Sequence, residues 1–502
     1  MEAEQFSLLD EVRVGRSITT RSVTSSVDAA AIKYQQDRVL HWNGVARELK
    51  RWRNWGRYYH RRLTQVYQSL VSPGQSVLDL GCAHGGLLAA LKPAVGIGVD
   101  FSEEMVRSAR RQYPHLRFVH ADAHALNLRE KFDVVILSDL VNDLWDVETV
   151  LKNVWRLTTP RTRIIINCYS HLWEPILKAA GQLGLANPNL HQSWLTVGDI
   201  TGLLNLADCE VVKQFQEILL PLPLPLVADL CNRFLVKLWL FKQFALTNFI
   251  IARPRARLET RAKRPSVSVI IPARNEEGNI ADIFARTPEM GEGTELVFVE
   301  GHSRDDTYTV IEKAIAAHPE RRCQLLQQTG IGKGDAVRLG FAHAKSDILM
   351  ILDADLTVPP EDLPRFYEAL CSSKGEFING VRLVYPMEKQ AMRFLNLAGN
   401  KFFTLAFSWL LGQPIKDTLC GTKVLWKTDY EAIAANRAYF GEFDPFGDFD
   451  LIFGAVKLNL KLIDLPIRYR ERTYGSTNIN RWTHGWLLLK MVAFAAKRLK
   501  FV

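Results

Sequence analysis

The chain has 502 residues, 47% of them hydrophobic and 23% charged, with 63 Lys and Arg against 54 Asp and Glu and a formal net charge of +9. One hydrophobic core rarely grows past about 250–300 residues, so the length excludes a single domain and predicts two, and the composition excludes a disordered chain. The basic balance suits nucleic acid, anionic lipid or phosphorylated substrates; no basic stretch interleaved with aromatics marks a nucleic-acid module, so no nucleic-acid partner is expected.

The seven cysteines are scattered without a Cys-x-x-Cys spacing, which argues against disulfides and structural zinc and for a reducing, cytoplasmic setting. The opening Met1-Glu2-Ala3-Glu4-Gln5 is acidic and lacks a secretory apolar core. No stretch offers eighteen apolar residues free of charge, so no membrane span is expected.

Along the chain, residues 1–35 are rich in Ser, Thr and charge and read as a flexible segment. Helical patterning starts near Ala30 and runs through a basic, Trp-rich stretch to about Leu70. Strand-like runs follow at Gln75–Leu80, Ala94–Val99, Leu116–His120, Phe132–Leu137 and Arg163–Cys168, separated by helix-compatible segments. That rhythm predicts βαβ units and a parallel sheet over a domain at 36–253. Glu210–Glu217 and Phe244–Ala252 are expected to close the sheet as an antiparallel pair. Between them Leu219–Leu226 alternates Leu and Pro, which excludes a regular helix. This apolar insertion is expected to pack as a cap, with contact to the second domain or a membrane as the alternatives.

Residues 254–265 are charged and proline-bounded and read as the linker. A second strand rhythm then covers Val267–Ile271, Glu295–Val299, Arg322–Gln327, Asp347–Leu352 and Phe377–Val381, predicting a second Rossmann-like α/β domain at 266–480. Residues 481–502 form an amphipathic tail. Met392–Leu411 and Trp482–Val502 combine aromatics and leucines with Lys401, Lys490, Lys497, Arg498 and Lys500, the pattern of helices lying at a membrane surface, with ordinary core or dimer packing as the alternative.

Chemistry concentrates at strand ends. Asp79-Leu80-Gly81-Cys82-Ala83-His84-Gly85 follows a strand and precedes a helix, and its small residues let backbone N–H groups approach a ligand. Asp100 closes the next strand, where a carboxylate can accept from ribose hydroxyls, and Asp122-Ala123 closes the third. This segment resembles the class I S-adenosylmethionine-dependent methyltransferases over residues 40–255. The resemblance implies that Asp79, Gly81, Ala83 and Gly85 form the cofactor loop, Asp100 the ribose acid, and Asp122 with Ala123 the adenine turn. For the methyl acceptor, Asp139, Asn142 and Asp143 follow the fourth strand and Tyr169 and His171 the fifth. Asp139 and His171 are the candidate catalytic groups, since a hydroxyl acceptor needs a base. No Asn-Pro-Pro-Tyr-type sequence follows the fourth strand, which points away from amino-group methylation of bases and toward a sugar or similar hydroxylated acceptor.

In the second half, Asp353-Ala354-Asp355 stands at a strand end, and Pro272-Ala273-Arg274-Asn275-Glu276-Glu277 ends another strand upstream. Two carboxylates one residue apart can hold Mg²⁺ or Mn²⁺ against a diphosphate. This half resembles the family 2 glycosyltransferases of the GT-A fold, of the polyprenyl- or dolichyl-phosphate sugar synthase type, over residues 265–480. The resemblance implies a nucleotide-sugar donor held by Pro272, Arg274, Glu276, Glu300 and Lys333. It assigns Asp353 and Asp355 as metal ligands, Asp355 also as catalytic. Glu300-Gly301 departs from the family's paired aspartates, which leaves the base of the nucleotide open. Asp417–Lys423 resembles the acceptor-side loop, and Arg468, Arg470, Arg472 and Arg481 suit a phosphate clamp. The acceptor is a lipid phosphate, which needs no base, or another lipid-linked group with a hydroxyl, for which Asp448 or Asp450 would be the base.

The expected protein is thus bifunctional: an inverting, metal-dependent glycosyltransferase joined to an S-adenosylmethionine-dependent methyltransferase, cytoplasmic and peripheral at the inner face of a membrane, with homo-oligomers open. The alternatives are an active glycosyltransferase carrying a non-catalytic methyltransferase-like scaffold, and a membrane-bound assembly platform.

Overall fold

The computed structural model describes residues 11–48, 56–182, 190, 192–255, 264–382, 394–439, 447, 449–468 and 481–501. The chain falls into two compact units, one of Met1–Val211 and Gln216–Pro254, the other of Arg255–Val502 together with the short stretch Val212–Phe215. Most of the linker read at 254–265, Asp448, Arg470, Arg472 and the segment 474–478 lie outside the described residues.

The first unit carries strands β1 (Ser76–Leu80), β2 (Val95–Asp100), β3 (Arg117–His120), β4 (Val134–Ser138), β5 (Arg163–Tyr169), β6 (Cys209–Glu217) and β7 (Thr247–Pro254). All seven runs read as strands form one; the last begins at Thr247 rather than Phe244. The sheet order is β3-β2-β1-β4-β5-β7-β6. Strands β1 to β5 pair in parallel, with Leu80 level with Val99 on one side and Leu137 on the other, and β7 runs antiparallel to β5. Val77, Leu78, Val135, Ile136, Leu137, Ile164, Ile165 and Ile166 are wholly buried. Strands covered on both faces read as unbroken apolar runs, which is why the sequence pattern finds them.

The helices between the strands begin where their side chains cap them. Ser102 accepts from the backbone of Met105 ahead of Glu103–Gln112, which opens with Glu103 and Glu104 and ends on Arg110 and Arg111. Asp146 caps Val147–Arg156 through Thr149 N. Both follow the preference for a short polar acceptor before the first turn and for acids near the N-terminal end of the helix dipole. A helix spans Glu11–Glu48 and so covers much of the segment expected to be flexible.

The second unit has strands β8 (Val267–Ala273), β9 (Thr294–Glu300), β10 (Arg322–Gln327), β11 (Ile348–Ile351), β12 (Phe377–Val381), β13 (Lys423–Trp426) and β14 (Leu462–Pro466), in the order β10-β9-β8-β11-β13-β12-β14. The five expected strands form, and two more join them. Strand β13 lies antiparallel between β11 and β12, in the stretch expected to be loop. Its first residue, Lys423, is fully buried, and its Nζ donates to the carbonyl of Cys420. A four-residue strand opened by a lysine carries no apolar run to announce it.

Helices Phe394–Leu411 and Arg481–Ala495 pack together. Phe407, Leu410, Leu411, Leu488, Met491 and Ala495 enter the second core, while Phe402, Leu405, Trp409, Trp486 and Leu489 stay exposed. Among the described residues no helix is long and apolar enough to cross a membrane.

Candidate active sites

In doubly wound sheets ligands bind beyond the carboxyl ends of the strands, where the strand order reverses. In the first unit that point lies between β1 and β4. The loop after β1 turns there through left-handed backbone at Gly81, Ala83 and Gly85. A Cβ on Gly85 would stand 2.5 Å from the ring of Phe118, so only glycine fits. Asp100 organises the turn: its carboxylate accepts from the N–H of Ala83 (2.9 Å) and of Ser102 (2.8 Å). Burial pushes the Asp100 carboxyl up, and those two hydrogen bonds oppose the rise.

A cavity of about 310 Å³ opens beside this turn. Gly81, Asp100, Asp122 and Ala123 line it together; Asp79, Ala83, Gly85, Asp139 and His171 do not. Four carboxylates, of Asp100, Asp122, Asp143 and Asp146, border it against the one guanidinium of Arg38. Burial would raise the Asp122 carboxyl, but hydrogen bonds from His124 and Gln35 outweigh it and hold the group below the usual range.

The helix Glu11–Glu48 supplies a wall that the motif reading missed. Gln35 Nε2 bonds Asp122, Arg38 Nε reaches Asp143 Oδ1 at 3.2 Å, and Trp42 Nε1 reaches Asp143 Oδ2 at 2.8 Å. Tyr34 meets the edge of Trp145 at 5.1 Å between ring centroids. Tyr34, Arg38 and Trp42 recur every four residues, one face of a helix; that spacing is the signal by which they could have been found.

Asp79 is 1% exposed, and neither of its oxygens has a hydrogen-bond partner among the described residues. Burial first, and the nearby Asp100 second, raise its carboxyl to about 8. Asp139 follows β4 in left-handed backbone. Tyr59 Oη donates to both its oxygens (2.9 and 2.8 Å) and Asn167 Nδ2 to one (2.6 Å), while Tyr67 Oη donates to Asn167 Oδ1 (2.6 Å). Burial raises Asp139 to about 7 despite the Tyr59 and Asn167 hydrogen bonds, which lower it. That value suits a general base working near neutrality. His171 is exposed and beside Glu174 at 3.4 Å.

In the second unit the order reverses between β8 and β11. The loops after β8 and β9 are laced together. Asn275 N donates to Ser303 Oγ (3.0 Å), Arg304 N to Asn275 Oδ1 (2.7 Å), and Glu276 N to Thr307 Oγ1 (3.0 Å). Glu276 and Glu300 are buried; Glu276 accepts from Asn279 Nδ2 at 2.7 Å and Glu300 from Ser303 N at 2.5 Å. Pro272 belongs to β8 itself, and Arg274 beyond it is exposed.

Lys333 opens a helix and pairs with Asp353, Nζ to Oδ1 2.6 Å. Burial opposes ionisation of Asp353, and Lys333, with Lys423 and Arg382, more than compensates, so its carboxyl falls below the usual range. Asp355 accepts from the N–H and hydroxyl of Thr357 (3.1 and 2.8 Å). A Cβ at Gly421 would collide with Asp353, and one at Gly334 with Gly447. The acceptor-side loop and the Gly447 segment therefore both close on the Lys333 turn. Asp417 is clasped by Arg382 through both oxygens (2.7 and 2.8 Å). Asp450 faces two guanidiniums, Arg437 at 3.4 Å and Arg338 at 3.9 Å.

Among the described residues no group of three or more His, Cys, Asp or Glu could hold a metal ion. Asp353 and Asp355 fit a different scheme. Mg²⁺ is commonly held by one or two carboxylates together with substrate phosphates, so two carboxylates suffice for a cation that arrives with a diphosphate.

Two α/β domains, each with acidic residues at its switch point, make up the protein. Residues 77–161 match the family model for a methyltransferase domain, and residues 268–429 that for glycosyl transferase family 2. The chain therefore carries an S-adenosylmethionine-methyltransferase-like domain followed by a family 2 glycosyltransferase-like domain of GT-A type, and at family level both are enzymes. Methyl-donor binding and metal-dependent transfer from nucleotide sugars are typical of these families.

Relatives include undecaprenyl-phosphate 4-deoxy-4-formamido-L-arabinose transferase of Shewanella sediminis, 35% identical over 102 residues, 20% of this chain and 31% of that protein. Glycosyltransferase AglJ of Haloferax volcanii is 28% identical over 225 residues, 44% of this chain and 69% of that protein. The chain spans about a third of the length of the first relatives it matches. Among solved structures, glucosyl-3-phosphoglycerate synthase of Mycobacterium tuberculosis is 19% identical with a TM-score of 0.35, over 47% of this chain and 80% of that one.

Proposed function

We propose that the protein is bifunctional. The C-terminal domain transfers a glycosyl group, with inversion, from a nucleotide sugar to a polyprenyl phosphate or other lipid-linked acceptor. The N-terminal domain methylates a hydroxyl of a sugar or related small acceptor. The observation that carries this reading is the convergence of Lys333, Asp353 and Gly421 at the switch point of the second sheet, matched at that of the first by a cavity that Asp100 and Asp122 share.

In the N-terminal domain, the excess of carboxylates around the cavity favours a cationic ligand. Asp100 and Asp122 would hold its ribose and adenine. S-adenosylmethionine, when bound, supplies an electrophilic methyl group on a sulfonium. Asp139 takes the proton of the acceptor hydroxyl, and Tyr59 and Asn167 fix the direction of its carboxylate.

In the C-terminal domain, Asp355 with Asp353 would hold Mg²⁺ or Mn²⁺, which neutralises the departing nucleoside diphosphate. Glu276, Glu300, Pro272 and Arg274 border the nucleotide, and Lys333 reaches its phosphates. An acceptor phosphate is already ionised near neutrality and attacks without a base. Asp450, between two arginines, is then a positioning group rather than a proton acceptor, and Asp448 keeps the base role only for a hydroxyl acceptor.

Lipid-linked acceptors fit the names of the relatives, and the exposed Phe402, Leu405, Trp409 and Trp486 suit contact with a membrane surface from the cytoplasmic side. The test is mass analysis of lipid extract incubated with the protein, a panel of nucleotide sugars, Mg²⁺ and S-adenosylmethionine. Gain of one sugar, and of one methyl on the same product, is expected. No lipid product with any donor would overturn the reading.

A further inference from the structure

We infer that the insertion between β6 and β7, residues 218–246 of the methyltransferase-like domain, is a membrane-docking plate whose occupant is the interfacial layer of a bilayer containing anionic lipid. The inference goes beyond the catalytic reading and requires neither transfer reaction.

Large apolar side chains are exposed here as nowhere else among the described residues. Of the 24 such residues, ten fall between Leu222 and Phe244; Leu226 is 82% exposed and Trp239 75%. Single exposed apolar residues are ordinary, but a contiguous run of them marks a contact surface.

The underside is built to hold this face outward. Asn232 is 1% exposed and bonds both backbone groups of Leu220 (2.8 and 2.7 Å) and the hydroxyl of Tyr58 (3.0 Å). Glu217 is buried between Lys237, which it hydrogen-bonds, and Arg62 at 3.5 Å; Arg62 also donates to the carbonyl of Asn232 at 3.2 Å. Ala228, Val236, Ala245 and Leu246 point inward. The polar anchors thus lie beneath the plate and the apolar side chains above it.

Backbone groups of the segment pair within it, as suits a surface that loses water on contact with lipid. Past Pro221, Pro223 and Pro225 the chain winds through helical turns from Val227 to Lys237, breaks at the extended Leu238, and makes a further turn over Trp239–Lys242. Leu230 N donates to Leu226 O and Lys242 N to Leu238 O. The exposed charges are Arg233 and Lys242 against Asp229, on a chain of formal charge +9. Cations beside Trp and Leu match an anionic headgroup layer.

The test is hydrogen exchange of the full chain with and without vesicles of phosphatidylcholine and phosphatidylglycerol. Slowed exchange across 222–244 only with vesicles is expected. The double variant Leu226→Glu, Trp239→Glu, altered at exposed positions, should lose vesicle binding by about tenfold or more with its thermal unfolding unchanged. Vesicle binding without protection of 222–244 overturns the proposal. So does protection that rises with protein concentration in the absence of vesicles, which would mark a second copy, or protection already complete in the dilute free chain, which would mark cover by another part of it. Sugar transfer to a detergent-dispersed lipid phosphate is read separately, so either result stands if the other fails.

Discussion

Lys333 and Asp353 hold each other at 2.6 Å across the head of the second sheet. Without a donor, an acid assigned to the metal thus carries its own counterion, and the lysine assigned to the phosphates is already in place. Lys333→Met removes the foremost of the cations that offset burial of Asp353, leaving Lys423 and Arg382. Loss of sugar transfer on the order of a hundredfold is expected, as for other single groups that stabilise developing charge. The acid limb of the pH profile should move upward, because Asp353 then ionises less readily. An unmoved limb would separate Lys333 from that acid.

Metal dependence should divide the two activities. Chelation of divalent cations, or Asp355→Ala, is expected to stop sugar transfer while leaving S-adenosylmethionine binding intact by calorimetry. Loss of both on chelation would contradict two independent sites.

The pH profile of methyl transfer should report Asp139. Its carboxyl sits at about 7, and a base must be ionised, so the rate should rise about tenfold per pH unit below 7 and level off above. The Tyr59 hydrogen bond lowers that value, so Tyr59→Phe should shift the midpoint upward. Asp139→Asn should cost on the order of 10²–10⁴-fold in kcat with little change in cofactor affinity.

Asp79 makes a prediction about stability. Its folded carboxyl, at about 8, is raised above the ordinary value. The neutral form therefore favours folding at low pH, and that contribution is lost as pH rises toward 8. Asp79→Asn cannot ionise, so the difference in Tm of the N-terminal domain, variant minus native, should grow from pH 4 to pH 9. A pH-independent difference would mean that the carboxyl titrates normally.

Arg38 and Gln35 should separate structure from binding. Arg38 and Asp143 are both buried, and breaking a buried pair from one side costs about 3–5 kcal/mol, so Arg38→Ala should destabilise the N-terminal domain markedly in thermal unfolding. Gln35→Ala, at the rim beside Asp122, should weaken cofactor binding with little effect on stability, measured by calorimetry.

Much of this was legible in the residues. Twelve strands were legible, most of them because parallel, doubly covered strands are continuous apolar runs. Gly81, Asp100, Asp122 and Ala123, at or just past the ends of β1, β2 and β3, line one cavity. Strand β13 was hidden by the buried Lys423 that opens it, and β14 by Asp464, which interrupts its apolar residues. The first part of the N-terminal helix was hidden because its Ser and Thr content reads as loop; helical patterning was legible from about Ala30, but the contacts of Gln35, Arg38 and Trp42 with Asp122 and Asp143 span about a hundred residues of chain, beyond any local pattern. Asp139 was singled out as a base by position; the tyrosine and asparagine that tune it stand on other elements.

The helix Glu11–Glu48 has a practical corollary for protein production. Its Gln35, Arg38 and Trp42 are partners to acids far downstream, so a shortened form starting at the second helix, near residue 56, would bare Asp122 and strip Asp143 of its guanidinium. Trimming that looks harmless on a sequence map would open one side of the cavity.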